Sequence, residues 1–205
     1  MQITPGVDRK TRILEAVVEL LAERGYPGAT FARIVETAGL SSTRLITYHY
    51  DTKQELVAAA LRHIGARAQQ FMVPAIEAES SARGKLAAYL RSNLRFLAER
   101  PAYARAAVEI ARNLPRESTG ADLGEDVPVV LLAQLFVAGQ EAGELRRFDP
   151  VVMAVTVRAA VDAAVDRFAR DDGMDLAAYA EELCAIFDRA IAVRPASGDP
   201  GTALR

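Results

Sequence analysis

The sequence predicts an all-α protein, a small N-terminal unit of three helices followed by a larger and wholly helical C-terminal unit. Three observations carry that reading. Apolar residues recur at spacings of three and four along the chain, and no alternating β-branched run is long enough for a sheet. Gly25 and Gly39 each follow a periodic segment closely and cut the chain between them into pieces of about eight residues. Beyond Lys53 the segments are long, and Pro101, Pro128 and Pro150 fall where a first helical turn tolerates them.

Asp8 is placed to cap the first helix, whose Ile13, Leu14, Val17, Leu20 and Leu21 share a face and which Gly25 stops. Thr30 caps a second, short helix running through Ala38, and Gly39 ends it. Ser41 or Ser42 caps a third to about Tyr50. A long helix then runs from Lys53 to about Met72 and is expected to stop at Pro74. Five further helices are expected at about Ser81–Glu99, Pro101–Asn113, Val127–Gly143, Pro150–Arg170 and Asp175–Ala192. Leu114–Asp126 reads as a loop and Arg194–Arg205 as a frayed tail. The expected units are therefore residues 1–52, 53–193 and 194–205.

The chain has 205 residues, 51% apolar and 25% charged, which is enough to bury a real core and excludes long-range disorder and a disulfide scaffold. Its formal charge of −2 excludes a polycation. Residues 1–53 are nonetheless net +1, an asymmetry too weak to identify a partner alone. The one cysteine, Cys184, and the lack of a signal peptide lead us to expect a cytoplasmic protein. Val127 to Gln140, an uncharged run of fourteen residues, is shorter than the roughly 20 needed to span a membrane.

Helices of about eight residues are marginal alone, because nucleation is costly. Two of them joined by Ala38-Gly39-Leu40-Ser41 form a helix-turn-helix pattern. On a helical wheel of the third helix, Ser42, Leu45, Ile46 and His49 share one side. Thr43, Arg44 and Thr47 take the other, with Tyr48 and Tyr50 at the flanks. The outward side carries no acid. Arg can read guanine bidentately, Thr offers a hydroxyl or methyl, and Tyr reaches phosphate oxygens, so this face suits a DNA major groove.

The run Arg12-Ile13-Leu14-Glu15-Ala16, Leu20 to Tyr26, Ala29-Thr30, Ile34, Ala38 to Ser41, Tyr48-His49-Tyr50 and Lys53 to Leu56 resembles the N-terminal DNA-binding domain of TetR-type transcriptional regulators. The resemblance covers about residues 9–60. It implies phosphate contact at Thr30, recognition-helix roles for Tyr48 and His49, and a backbone contact for Lys53. The wheel adds Thr43, Arg44 and Thr47 as candidate DNA-binding residues, with Ser42 and Arg33 counted beside them. The chain departs from the family at Ser42-Thr43-Arg44-Leu45-Ile46-Thr47, which has one residue more than the usual Gly and Leu-Tyr pattern.

The Pro150 helix carries a narrow polar stripe, Arg158, Asp162, Asp166 and Arg170, and is otherwise apolar round most of its circumference. Such a helix must be buried on more than one side, and a partner subunit supplies the second surface. The resemblance implies the same, a homodimer through the last two long helices. Val157, Val161, Val165, Phe168, Leu183 and Phe187 are the candidate interface residues. It also implies a C-terminal ligand-binding and dimerisation domain, with a small-molecule effector against Tyr89, Phe96, Tyr103, Leu132 and Phe136. Aromatic stripes at this spacing fit a plain core equally well.

No enzyme chemistry is expected. His49 and His63 have no metal-ligand spacing, Cys184 sits among apolar residues, and there is no phosphate loop or nucleophile elbow. Neither a cofactor nor a metal nor a membrane is expected. The resulting expectation is a transcriptional repressor bound as a homodimer to a palindromic double-stranded DNA operator and released by a small, largely apolar effector. The alternative is an all-helical dimeric small-molecule-binding or interaction module that does not bind DNA.

Overall fold

The computed structural model describes residues 8–114, 127–171 and 173–193, and nine α-helices are found among these described residues. They are α1 (Arg9–Gly28), α2 (Phe31–Thr37), α3 (Arg44–Thr47), α4 (Lys53–Glu77), α5 (Ala82–Glu99), α6 (Pro101–Asn113), α7 (Val127–Glu141), α8 (Pro150–Arg170) and α9 (Leu176–Ile191). Among the described residues the only β pairing is an isolated bridge between Leu145 and Ala192. The tail 194–205 and nearly all of the expected loop lie outside the described residues.

The N-terminal unit is built on α1, whose Ile13, Val17, Val18 and Leu21 are buried. Gly25 breaks the helical path at φ +65°, ψ 178°, a backbone position that favours glycine, so the last turn of α1 leaves the axis there. Asp8 takes the N-cap position but makes no side-chain cap. Thr30 caps α2 by accepting from the Arg33 N–H at 3.4 Å. Gly39, at φ +62°, closes α2 as the Leu40 N–H reaches back to the Val35 carbonyl at 2.9 Å.

Two helix limits differ from the expectation. Only Arg44–Thr47 forms regular helix in the third segment, flanked by turns whose bonds run from Leu45 N–H to Ser42 O and from Tyr50 N–H to Ile46 O. And α4 passes through Pro74 to Glu77. A proline removes one helical hydrogen bond but holds a helical φ, and here only one short turn follows it.

The C-terminal unit packs α5 between α4 and α9, while α8 lies on α7 and α6 and touches α9 only lightly. This corrects the expected interface. Val157, Val161, Phe168, Leu183 and Phe187 are buried within the subunit, and Val165 is half-buried against the core. Ala154, Val157, Val161, Ala164 and Phe168 recur at spacings of three and four and form one continuous row, which α8 turns inward against α6 and α7. Val151, Val152 and Val155 of α8 and Ile186 of α9 remain exposed. The polar stripe is present: Arg158 pairs with Asp162 at 2.5 Å and Arg170 with Asp166 at 2.7 Å.

Candidate nucleic-acid interface

Sequence alone ties the helix-turn-helix down poorly, since α2 and α3 bury only Ile34 and Ile46 respectively. Side chains from the longer helices make up the deficit. From α1, the Arg12 guanidinium donates to both turn carbonyls, Ala38 at 2.5 Å and Gly39 at 3.2 Å. At the head of α4, Thr52 caps by accepting from the Glu55 N–H at 3.1 Å, and the Glu55 carboxylate accepts from the Asp51 N–H at 2.9 Å. Lys53 donates to the Tyr26 carbonyl and lies over the Tyr26 ring, 4.1 Å from its centroid.

The outward surface follows from these restraints. Ile46 points inward with Leu45 half-buried beside it, so Ser42, Thr43, Arg44, Thr47, Tyr48 and His49 all stand in solvent. Tyr48 is the most open, at 84% exposure, with the His49 ring edge-on to it at 5.0 Å. The Ser42 hydroxyl accepts from the Arg44 N–H at 3.1 Å and so starts the helix. From Thr37 to Tyr50 the chain has no carboxylate. A partly wrapped, acid-free surface of hydroxyls, one guanidinium and two aromatic rings can meet phosphate oxygens and base edges together.

Several expected positions move. Tyr50 does not flank the face; it is buried, and burial raises its phenol above the ordinary pKa. His49 turns outward, because the non-helical turn after Thr47 rotates it off the Leu45 side. Lys53 is half-buried on Tyr26, and burial lowers its ammonium pKa, so it secures the Gly25 turn rather than projecting from it. The exposed Arg33 bends back to the Gly28 carbonyl at 3.3 Å. The structure thus brings Thr43, Arg44, Thr47, Tyr48 and His49 onto one open face, with Thr30 and Ser42 acting as helix starts beneath it.

Sequence reasoning missed the bonds that couple this unit to the rest. Glu15 of α1 accepts from the Tyr103 hydroxyl of α6 at 2.6 Å and lies 2.8 Å from His63 Nε2 of α4. Glu109 of α6 accepts from the Tyr26 N–H at 2.7 Å. Glu15 heads an i,i+4 row with Glu19 and Glu23 that reads as a solvated stripe, so no local signal set it apart.

The expected effector residues fare differently. Tyr89, Phe96, Tyr103, Leu132 and Phe136 are all buried, and Phe96 stacks on Tyr103 at 5.5 Å and on Phe71 at 5.6 Å. All five belong to the hydrophobic core of the subunit. A surface groove of about 310 Å³ between α5 and α9 is lined by none of them. Among the described residues no cluster of His, Cys, Asp and Glu could hold a metal ion, and no helix is long and apolar enough to cross a membrane.

Comparison with known proteins agrees with this geometry. The family model "Bacterial regulatory proteins, tetR family" matches residues 13–60. A solved TetR-family transcriptional regulator from Rhodococcus sp. is 26% identical, with 90% of this chain and 98% of that one covered at a TM-score of 0.75. A transcriptional regulator from Pseudomonas aeruginosa is 24% identical, covering 89% of each chain at 0.73. FadR from Bacillus subtilis, solved with stearoyl-CoA, is 20% identical over 85% of this chain and 95% of its own, at 0.76. No curated protein matches the sequence. Residues 13–60 thus carry a TetR-type N-terminal domain, and the chain has the fold of solved TetR-family transcriptional regulators over most of its length.

Proposed function

We propose that the chain is a homodimeric repressor that binds a palindromic operator and leaves it when a small, largely apolar effector enters the C-terminal unit. The observation that carries this is the open face of α3, where Thr43, Arg44 and Thr47 project without an acid between them. Arg44 reads a base edge and Thr47 its neighbour, while Tyr48, Thr30 and Thr43 hold phosphate oxygens. Two such faces related by a two-fold axis read half-sites roughly 34–36 Å apart. The exposed Val151, Val152 and Val155 of α8, together with Ile186 of α9, supply an apolar surface for the second copy.

The Phe71–Phe96–Tyr103 stack supports the effector part of the reading. Its Tyr103 end donates directly to the Glu15 carboxylate that fastens α1. An effector that parts those rings favours a form in which α1, and with it α3, is displaced. DNA and effector then weaken each other's binding by the same factor. That a protein of similar fold holds stearoyl-CoA supports an acyl-type ligand for this centre.

The test is selection from a labelled genomic duplex library at two salt concentrations. A palindrome should be enriched, with affinity falling steeply as salt rises. Arg44→Ala should cost about 1–3 kcal/mol and relax preference at one base position. No enrichment, with the dimer intact, would support the interaction module instead.

A further inference from the structure

The Phe71–Phe96–Tyr103 column has a cationic end. Phe96 and Tyr103 are buried, while Phe71, from α4, is half-buried. Two guanidiniums lie against these rings. Arg95 of α5 is 4.8 Å from the Phe71 centroid. Arg100, the residue that closes α5 and opens α6, is 5.6 Å from Phe71 and 5.3 Å from Phe96. Both pair with Glu99, at 3.6 Å from Arg95 Nε and 3.8 Å from Arg100 Nη1, distances too long for hydrogen bonds. Glu99 offsets charge without supplying an acceptor. Glu15, the carboxylate at the Tyr103 end, is engaged by the Tyr103 hydroxyl and lies 2.8 Å from His63 Nε2. Arg100 Nη1 is buried beside the rings and has no hydrogen-bond partner. A charged donor in that state is costly, and attraction to the ring faces offsets only part of the loss.

We propose, resting on the effector reading above, that the ligand of this centre is an organic acid with an apolar tail, its carboxylate held by Arg100. The carboxylate accepts from Arg100 Nη1 in a charge-assisted hydrogen bond, with Arg95 as the second cation. The tail displaces the Phe71 ring, which is already partly open to solvent, and lies on Phe96 and Tyr103. Each half of the ligand needs the other. A headgroup alone gains an ion pair near the surface, which is weak in water. A neutral chain alone leaves Nη1 without an acceptor.

The experiment is calorimetric titration of the full chain, without DNA, at about pH 7.5, where a carboxylic acid is ionised. The probes are decanoate and 1-decanol below their micellar concentrations, which share a chain and differ in the headgroup. Decanoate should bind once per subunit, and 1-decanol about tenfold more weakly. Arg100→Gln should weaken decanoate by about tenfold and leave 1-decanol unchanged, and Arg100→Lys should recover part of that loss. Phe71→Ala, which vacates the space the tail takes, should tighten both probes. Arg83→Gln, whose partner Asp188 lies on the α5–α9 side, should change neither. Equal or tighter binding of 1-decanol, decanoate binding unmoved by Arg100→Gln, or equal weakening in Arg83→Gln overturns the acid class and leaves the apolar-effector reading standing. Unchanged or weaker binding to Phe71→Ala overturns displacement of that ring. Absence of binding by both probes overturns the acid class and, with it, the aromatic centre as the effector site.

Discussion

The helix-turn-helix and the C-terminal helices hold their shape in opposite ways. In α5 a two-sided burial makes any one residue replaceable, with Leu86, Leu90, Leu94, Phe96 and Leu97 all within the core. In α3 the whole element rests on Ile46, fully buried, with guidance from Arg12, Thr52 and Lys53 arriving from its neighbours. The difference teaches that a surface meant to enter a partner's groove cannot also be wrapped by its own protein. Such a surface has few apolar anchors, and its neighbours must hold it through backbone carbonyls.

The sharpest break of that contrast is Ile46→Ala. Emptying a fully buried isoleucine site costs about 2–5 kcal/mol. Because Ile46 is the one residue buried within α3 itself, with Tyr50 anchoring only the turn after it, the loss should be local. Hydrogen exchange is expected to show protection lost over residues 42–50 and DNA affinity abolished, with α5 amides unchanged. Val161→Ala, in the interior of α8, should instead lower global stability by about 1–3 kcal/mol and spare α3. Equal loss in α5 after Ile46→Ala would mean that the two regions unfold as one.

The same contrast explains what the sequence made legible. Gly25, Gly39 and Thr30 are local signals with local consequences, so the helix-turn-helix could be placed from the chain alone. The short, turn-flanked form of α3 could not, since it reflects where Ile46 and Tyr50 dock, and this is also why His49 faces solvent and Tyr50 leaves the flank for the core. In the C-terminal unit the apolar residues of α8 extend round two of its sides, but which side meets the subunit's own core is decided by α6 and α7. Val157 and Val161 were therefore placed at a partner surface when Val152 and Val155 are the exposed ones. Arg12, Glu15, Lys53 and Glu109 act through partners far away in the chain, and no local pattern announces such pairs.

At the junction between the regions a smaller effect is expected, and it depends on pH. Burial first, then the hydrogen bond to Glu15, push the Tyr103 phenol up to about 12. The neutral phenol is the form that the folded state prefers, so the unfolded chain ionises first as pH rises past the ordinary tyrosine value of about 10. The stabilisation is fully present below pH 10 and is lost as pH climbs through the folded value, by up to about 2–3 kcal/mol at pH 12. Urea melts across pH 9–12 should show this decline, and Tyr103→Phe should flatten it. An unchanged slope in Tyr103→Phe would assign the alkaline loss to other groups, Tyr50 first among them, since its pKa is also raised by burial.

The smallest expected change in subunit stability accompanies the largest change in assembly. Val155 is 51% exposed, so replacing it with glutamate disturbs little of its own core, within about 0.5 kcal/mol. If α8 and α9 meet a second copy, the substitution places a charge in each half of an apolar contact, and the two-fold axis doubles the penalty. Light scattering at micromolar concentration should then change from a dimer to a 22.1 kDa particle, while the melting temperature of the dilute protein stays put. Loss of operator binding should follow, because one recognition face alone lacks the effective concentration supplied by its twin. A Val155→Glu protein that remains dimeric would move the partner surface away from α8, and a wild type that is already monomeric would remove the symmetry on which a palindrome depends.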